Sequence, residues 1–491
     1  MSNPPQASIG CCSAVAARLV VSSLALLLIA LLSGCDSGER AAPGSVAKAE
    51  AGPVPAYPQR PGDPKKGYDA LINRAVVTCG LPYSAYIKAG GGDDAGPGDQ
   101  FPGRDGRNRE LPYGLTAHRA PSGVELVTSN CLICHAARIE GKLVMGLGNA
   151  FLDMTQDPLV AVEAAGAHVS GKSETAEWRR WADRIATISD YMMTDTVGVS
   201  SANNLTLALM AHRDPKTLGW SDKPLIAPPP ERPLPVGVPP WWNMRKKHAM
   251  FYNGEGRGDH ARYMILASTL CTDSVDEARA IDAWFVDVRA YLATLEPPRY
   301  PYPVDRVLAD QGYSLFQGNC RNCHGSYGED WRYPNKVVAL GKIGTDPELA
   351  RAGYSDADRF LVWLQQSFYG ELAQAAPALG YVAPPLDGVW STAPYLHNDS
   401  VPTIADLLDS PGRPRFWELE KTGDRQPVYD RTRLGWAYRT LSEGKSGAMS
   451  WAARNRIYDT NQKGYGNGGH DFGDAFSADE RRALIEYLKT L

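Results

Sequence analysis

Cys131-Leu132-Ile133-Cys134-His135 and Cys320-Arg321-Asn322-Cys323-His324 repeat one arrangement: two thiols separated by two residues, followed at once by an imidazole. Thiols at this spacing add to the two vinyl groups of a haem, and the adjacent histidine becomes an axial iron ligand. A redox dithiol or half of a zinc site shares the Cys-x-x-Cys spacing, but neither explains a histidine directly after the second cysteine. The doubled pattern predicts two c-type haems, attached through Cys131, Cys134, Cys320 and Cys323, with His135 and His324 on the irons.

The group opposite each proximal histidine decides whether an iron carries electrons or binds oxygen or peroxide. No methionine lies between His324 and Met449, which argues against the common His/Met pairing for the second haem. Two imidazoles remain in that part of the chain, His397 in Ala393-Pro394-Tyr395-Leu396-His397-Asn398 and His470 in Gly468-Gly469-His470-Asp471-Phe472-Gly473. His470 is the expected ligand, because glycines let backbone approach a flat macrocycle and Phe472 can pack its edge. His397 is the alternative, or else a hydrogen-bonding residue near the propionates or between domains. For the first haem, methionines and histidines from Met145 to Met264 are numerous and none stands at a diagnostic spacing, so an open distal site is expected.

Pro239-Pro240-Trp241-Trp242-Asn243-Met244-Arg245-Lys246-Lys247-His248 is the most unusual segment. A tryptophan there could wall an oxygen pocket or relay an electron, and the three cations could meet haem propionates. The plainer alternative is one core tryptophan and a solvated basic face.

Helices must position these groups. Ile281, Trp284, Phe285, Val288, Leu292 and Leu295 recur at helical spacing until Glu296-Pro297-Pro298 stops them. Ser477-Ala478-Asp479-Glu480 is a capping box ahead of a stripe of Leu484, Leu488 and Leu491. Gln311 to Phe316 precedes the second haem motif as a helix that a terminal helix would cross. Around the first motif, Gly123 to Val127 alternates like a strand and Ile139 to Val144 reads as a tight hairpin. Lys223 to Pro240 should be an extended loop. The expected fold is mainly α: two cytochrome c-like domains, residues 66–300 and 301–491, each around one attached haem, with short β-hairpins and long loops in the first.

Residues 1–34 read as a lipoprotein signal peptide, with Arg18 before the apolar run Leu19 to Leu32. Leu32-Ser33-Gly34-Cys35 resembles a lipobox, which makes Cys35 a lipidation site and predicts a lipid-anchored protein on the periplasmic side of a bacterial membrane. Residues 35–65 are expected to be a flexible tether. Cys79 and Cys271 are left over, either as a disulfide or as two separately buried thiols. A net charge of −4 shows no basic excess, so nucleic acid is not an expected partner.

These residues resemble the bacterial dihaem cytochrome c peroxidase superfamily, and within it most the dihaem rubber oxygenases. The resemblance runs from about Leu111 to the end. It rests on Ser129-Asn130-Cys131 to His135, Gly146-Leu147-Gly148-Asn149, Trp241-Trp242, Asp259-His260-Ala261-Arg262, the second haem motif, Ala393 to His397, and His470 with its glycines. It implies that the N-terminal haem is reactive, with His135 proximal and Trp242 near its oxygen-binding face. It also implies that His324 and His470 complete a second haem that passes electrons, with His397 close by. Peroxidases of this superfamily place a methionine shortly after that histidine, where this chain reads Ile404-Ala405-Asp406-Leu407-Leu408. That departure favours the oxygenase-like branch, while a lipid anchor and a short C-terminal span speak against polyisoprene as substrate. The expected activity is a haem-dependent oxidoreductase using O2 or peroxide, a small organic substrate and a periplasmic electron donor or acceptor. The alternative is a pure electron-transfer cytochrome with both irons six-coordinate. Calcium is allowed but not indicated.

Overall fold

The computed structural model describes residues 48–91, 100–355, 357–420 and 427–491. The leader, the lipobox with Cys35 and the start of the tether lie outside the described residues. Residues Val46–Leu491 form one compact unit, mainly helical with small antiparallel sheets of two or three strands. No helix among the described residues is long and apolar enough to cross a membrane.

Two helix crossings organise the body. Arg306–Asn319, which leads into Cys320, crosses the terminal helix Ala478–Leu488, whose N-terminus carries the Ser477/Glu480 capping box. Gly312 makes the crossing close, since a Cβ there would lie 2.0 Å from the Ala483 carbonyl oxygen. Pro64–Asn73 crosses Val275–Leu292 in the same way, with a Cβ at Gly67 placed 1.8 Å from the Asp287 oxygen. Gly312→Val should force Arg306–Asn319 and Ala478–Leu488 apart and cost about 1–3 kcal/mol. Thermal unfolding of the haem-loaded protein measures this, and an unchanged midpoint would contradict so tight a contact.

Strand-forming sequence surrounds the first haem motif. Leu115–Arg119 and Leu81–Pro82 flank Glu125–Ser129 in one antiparallel sheet, and Ala136–Ile139 pairs with Lys142–Met145 directly after His135. The hairpin turns on Glu140 and Gly141, both at positive φ, as a tight two-residue turn requires. Cys79 and Cys271 are joined as a disulfide with Cα atoms 5.7 Å apart, tying the strand region to the start of Val275–Leu292. The bridge closes a long loop, so replacing both cysteines with alanine should cost about 2–5 kcal/mol. Denaturant midpoints with and without the bridge test this, and equal midpoints would contradict it.

The expected division at residue 300 is not a division in the packing. Phe360, Trp363, Leu364 and Phe368 are buried in the same core as Leu71, Leu132, Trp241 and Phe285. Trp363 Nε1 donates to the Arg213 carbonyl at 2.6 Å, and Gly256–Gly258 pairs with Ala373–Ala375. Conversely, Ala137, Ile139, Leu147 and Trp242 join the core of the terminal helix. The proline run ends a helix, but apolar surface on both sides of it is buried jointly.

The described part of the expected tether is likewise fixed. Val54 is buried and its N–H donates to the Asn335 carbonyl at 2.6 Å. Arg60 bridges the carboxylates of Asp259 and Asp282, at 2.9 and 2.6 Å. Asp282 also pairs with Arg262 at 3.0 Å, so a small network holds a segment that has little apolar surface of its own.

Candidate haem sites

The first Cys-x-x-Cys-His turn is held from both sides by asparagines. Asn130 Oδ1 accepts from the Leu132 N–H at 2.9 Å, while its Nδ2 donates to Thr116 Oγ1 at 2.8 Å and the Tyr113 carbonyl at 2.9 Å. Asn149 donates its N–H to the Cys134 carbonyl at 2.8 Å and its Nδ2 to the Ile133 carbonyl at 3.0 Å. Gly146 closes the turn with an N–H to the His135 carbonyl, 2.8 Å. The His135 ring lies flat on Trp241, with centroids 4.4 Å apart and planes inclined by 17°. His135 Nδ1 has no well-formed hydrogen bond, and the Pro239 carbonyl only partly offsets its burial.

The second motif continues the helix Arg306–Asn319. His324 Nδ1 lies 2.8 Å from the Pro384 carbonyl, which can only accept. The Nδ1 proton is thereby fixed and Nε2 is left with a free lone pair, the arrangement an axial histidine needs. Opposite stands His470, its ring centroid 6.2 Å from that of His324 and inclined by 61°. Imidazole nitrogens bind first-row metals at about 2.0–2.1 Å, so two rings on one metal have centres roughly 6 Å apart. The pair is spaced for one iron between them. Met449, the methionine of this part of the chain, is fully exposed.

Backbone contacts place His470. It has φ +48°, and its N–H donates to the Ile343 carbonyl at 2.7 Å. Gly469, at φ +71°, lies against Gly344, where a Cβ would come within 2.1 Å of the carbonyl carbon. Arg413 clamps the loop: Nη1 donates to the Asn467 and Gly469 carbonyls at 2.7 and 2.6 Å, and Nη2 to those of His470 and Leu407 at 3.1 and 2.9 Å. Its Nε reaches the Asp406 carbonyl at 3.1 Å. Phe472 does pack edge-on against the imidazole, centroids 5.3 Å apart.

Burial keeps these imidazoles neutral. It lowers His135 to about 4, lowers His324, and lowers His470 to about 3 with a further contribution from His324. Neutral rings are the form that binds metal. Burial also pushes the thiols of Cys131 and Cys320 up to about 11 and that of Cys134 to about 12.

One largely apolar cavity of about 820 Å³ is lined by both motifs, His470 and His397. Such a space, with paired thiols and imidazoles on its walls, fits haem. Of the sequence candidates for a further iron ligand, Met210, Met244, Met250, Met264 and His260 border it. Met145 instead accepts from Tyr291, and His248 and His212 are engaged by the Val54 and Ser221 carbonyls.

The tryptophan pair sits differently from expectation. Trp241 stacks on the His135 imidazole, which would put it on the His135 side of a haem held there. Trp242 does not line the cavity; it is 1% exposed, and its Nε1 donates to the Asp387 carbonyl at 2.8 Å. Where an oxygen-facing Trp242 was expected, the side chain packs in the core with Ala137 and Phe316, and the carbonyl it bonds, that of Asp387, lies three positions after Pro384, whose carbonyl meets His324. Two of the three cations are also committed elsewhere: Arg245 to Glu296, and Lys246 to Asp387 at 2.7 Å. Lys247 lines the cavity, and burial together with Arg257 lowers it to about 8.

His397 lines the same cavity. Tyr381 stacks on it with centroids 3.9 Å apart, and its Nε2 is buried without a partner. That orphaned nitrogen suits a hydrogen bond to a cavity-bound group. Burial lowers His397 from 6.5 to about 3. Below pH 6.5 the unfolded chain binds a proton that the folded one does not, so this contribution to stability is lost as pH falls toward 3. Between pH 7 and pH 5 the loss is about 2 kcal/mol. His397→Phe should flatten that part of the profile in denaturant titrations; an unchanged slope would contradict it.

Arg413, Pro384 and Tyr381 were not legible as site residues, because they act through carbonyls and ring faces. Asn130 and Asn149 stood beside the motif, and their spacing to it was the available signal.

A family profile described as RoxA-like, cytochrome c-like matches residues 380–418. That segment contains Pro384, Asp387, His397 and Arg413, and its likeness points to a c-type cytochrome, with haem c as the implied cofactor. The chain is 31% identical to the uncharacterized protein y4iJ of Sinorhizobium fredii, over 40% of this chain and 41% of that one. It is 30% identical to the uncharacterized protein y4iM of the same organism, over 52% of this chain and 64% of the relative. The matches thus span less than two thirds of either relative's length.

Proposed function

We propose that the chain is a dihaem c-type oxidoreductase of the rubber-oxygenase-like kind, in which the haem at Cys131, Cys134 and His135 binds O2 or peroxide and the haem at Cys320, Cys323 and His324 transfers electrons. One observation carries this reading: His324 has an imidazole one iron's width away, whereas the ring neighbour of His135 is a tryptophan on its own side. Haem iron with both axial positions filled supplies one-electron transfer, and with one position free it also binds oxygen or peroxide.

The protein's own groups divide the work. Pro384 orients His324, and Arg413 holds His470. Asn130 and Asn149 fix the turn beneath His135. Met210, Met250, Phe251 and Met264 give the cavity an apolar wall that accepts a small organic substrate. Trp241, stacked on the His135 ring, and its neighbour Trp242, bonded to the Asp387 carbonyl close to Pro384, form a packed route between the two motif histidines. Location on the periplasmic side of a bacterial membrane, with a lipid on Cys35, belongs to the same proposal. So does a periplasmic electron donor or acceptor as partner.

The pure electron carrier remains the second reading because Met250, Met264 and His260 border the same cavity and offer sixth ligands. Stopped-flow mixing of the reduced protein with O2 and, separately, with peroxide tests the choice. Rapid oxidation with a new haem spectrum from one haem supports the oxidoreductase, and slow featureless oxidation of both refutes it.

A further inference from the structure

A second cavity of about 360 Å³ adjoins the haem cavity, and Ala150, Pro394 and Asp399 border both. Asp399 is the titratable group of the three. It sits at φ +58°, is 7% exposed, and no hydrogen bond or ion pair reaches its carboxyl among the described residues. Its oxygen lies against the bare Cα of Gly237, where a Cβ would come within 2.2 Å, and the Gly237 N–H is fixed to the His397 carbonyl at 2.8 Å. The carboxyl is thus held between two spaces by backbone alone. A buried carboxyl left without a partner calls for a functional explanation.

Hydroxyl groups flank it on both sides. Tyr252 lines the haem cavity and Tyr458 the second one, and each is within electrostatic reach of Asp399. Tyr458 is anchored by a 2.6 Å bond from its hydroxyl to the Asn398 carbonyl. The other titratable groups nearby are His397, two residues back, Lys247 in the haem cavity, and Arg138 and Arg456 in the second cavity.

We infer that Asp399 is a proton relay that admits one proton from the second cavity to the haem cavity for each electron that enters. The inference rests on the reading of the main cavity as the haem site. An electron entering an apolar, low-dielectric space is stabilised by a proton that follows it. The Asp399 O–H bond breaks as a water on the haem side takes the proton. The carboxylate left behind recovers a proton from water in the second cavity, which exchanges with solvent, and Asp399 itself is neither oxidised nor reduced. Burial raises Asp399 well above the usual carboxylate range, so the protonated form is at hand near neutral pH.

The test is stopped-flow reduction of the haem-loaded full chain by dithionite in weak buffer with a pH-indicator dye. In the unaltered protein proton uptake should keep pace with haem reduction. In Asp399→Asn, with haem content and spectrum unchanged, uptake should slow by about a hundredfold, and Asp399→Glu should restore most of it. Uptake at the original rate in D399N overturns the relay. So does an unaltered protein that takes up no proton on reduction, a result that needs no variant. Oxidant turnover is measured separately: a protein inert to O2 and peroxide that still shows Asp399-dependent uptake would defeat the oxidoreductase reading and leave the relay standing.

Discussion

His470→Ala should turn one haem from low spin to high spin while both covalent attachments persist. His470 approaches the iron position from a loop that contributes no cysteine, so its removal leaves attachment at Cys320 and Cys323 intact. About half of the haem absorbance should change, because one of two haems loses its sixth ligand. Electron delivery through that haem should fall, and added imidazole should restore both spectrum and reduction rate by occupying the space left. A variant with unchanged spectrum would move the sixth ligand elsewhere, His397 being the next imidazole on the cavity wall.

Arg413→Ala should have the next largest effect, although its side chain touches no haem ligand's ring. Five carbonyls from Leu407, Asp406, Asn467, Gly469 and His470 lose their donor together. Loss of groups that orient a metal-binding histidine typically weakens ligation by about 10–100-fold. Hydrogen bonds from a charged donor contribute roughly 1.5–3 kcal/mol each in favourable cases, and they are not additive. The variant is expected to show a mixture of low- and high-spin haem that shifts to low spin on cooling or with added imidazole. Arg413→Lys should rescue only part of this, because one ammonium cannot reach carbonyls on both sides of a planar fork. A fully low-spin Arg413→Ala protein with ordinary thermal stability would show that the loop holds itself.

The two cases mark where the sequence was readable. His470 could be named because the span after His324 offers two histidines and no near methionine, and because flanking glycines flagged an unusual backbone. Gly469 has a second reason to be glycine that the sequence did not show, its close approach to Gly344. Arg413 could not be named, since it recognises carbonyls that any residue supplies, three of them more than fifty positions away. The Trp241-Trp242 pair stood out by composition, yet that Trp242 would turn to Asp387 and leave Trp241 to stack on His135 depended on a contact across the presumed boundary. That boundary was drawn where prolines stop a helix, a local event; the burial of Phe360 and Trp363 in the first core is a long-range one. The hairpin after His135 and the capping box at Ser477 were legible, because turn and cap chemistry is local. Arg60 shows the converse, a single ion-pairing residue that docks a segment whose composition reads as unstructured.

The asymmetry between the two haem segments is tested most directly by electron paramagnetic resonance of the unaltered ferric protein, with haem content fixed beforehand by mass. The expected spectrum holds two signals of equal weight, one low-spin bis-imidazole haem and one high-spin haem. Two low-spin signals, persisting on reduction and unaltered by O2 or peroxide, would contradict a reaction site at His135 and leave an electron carrier.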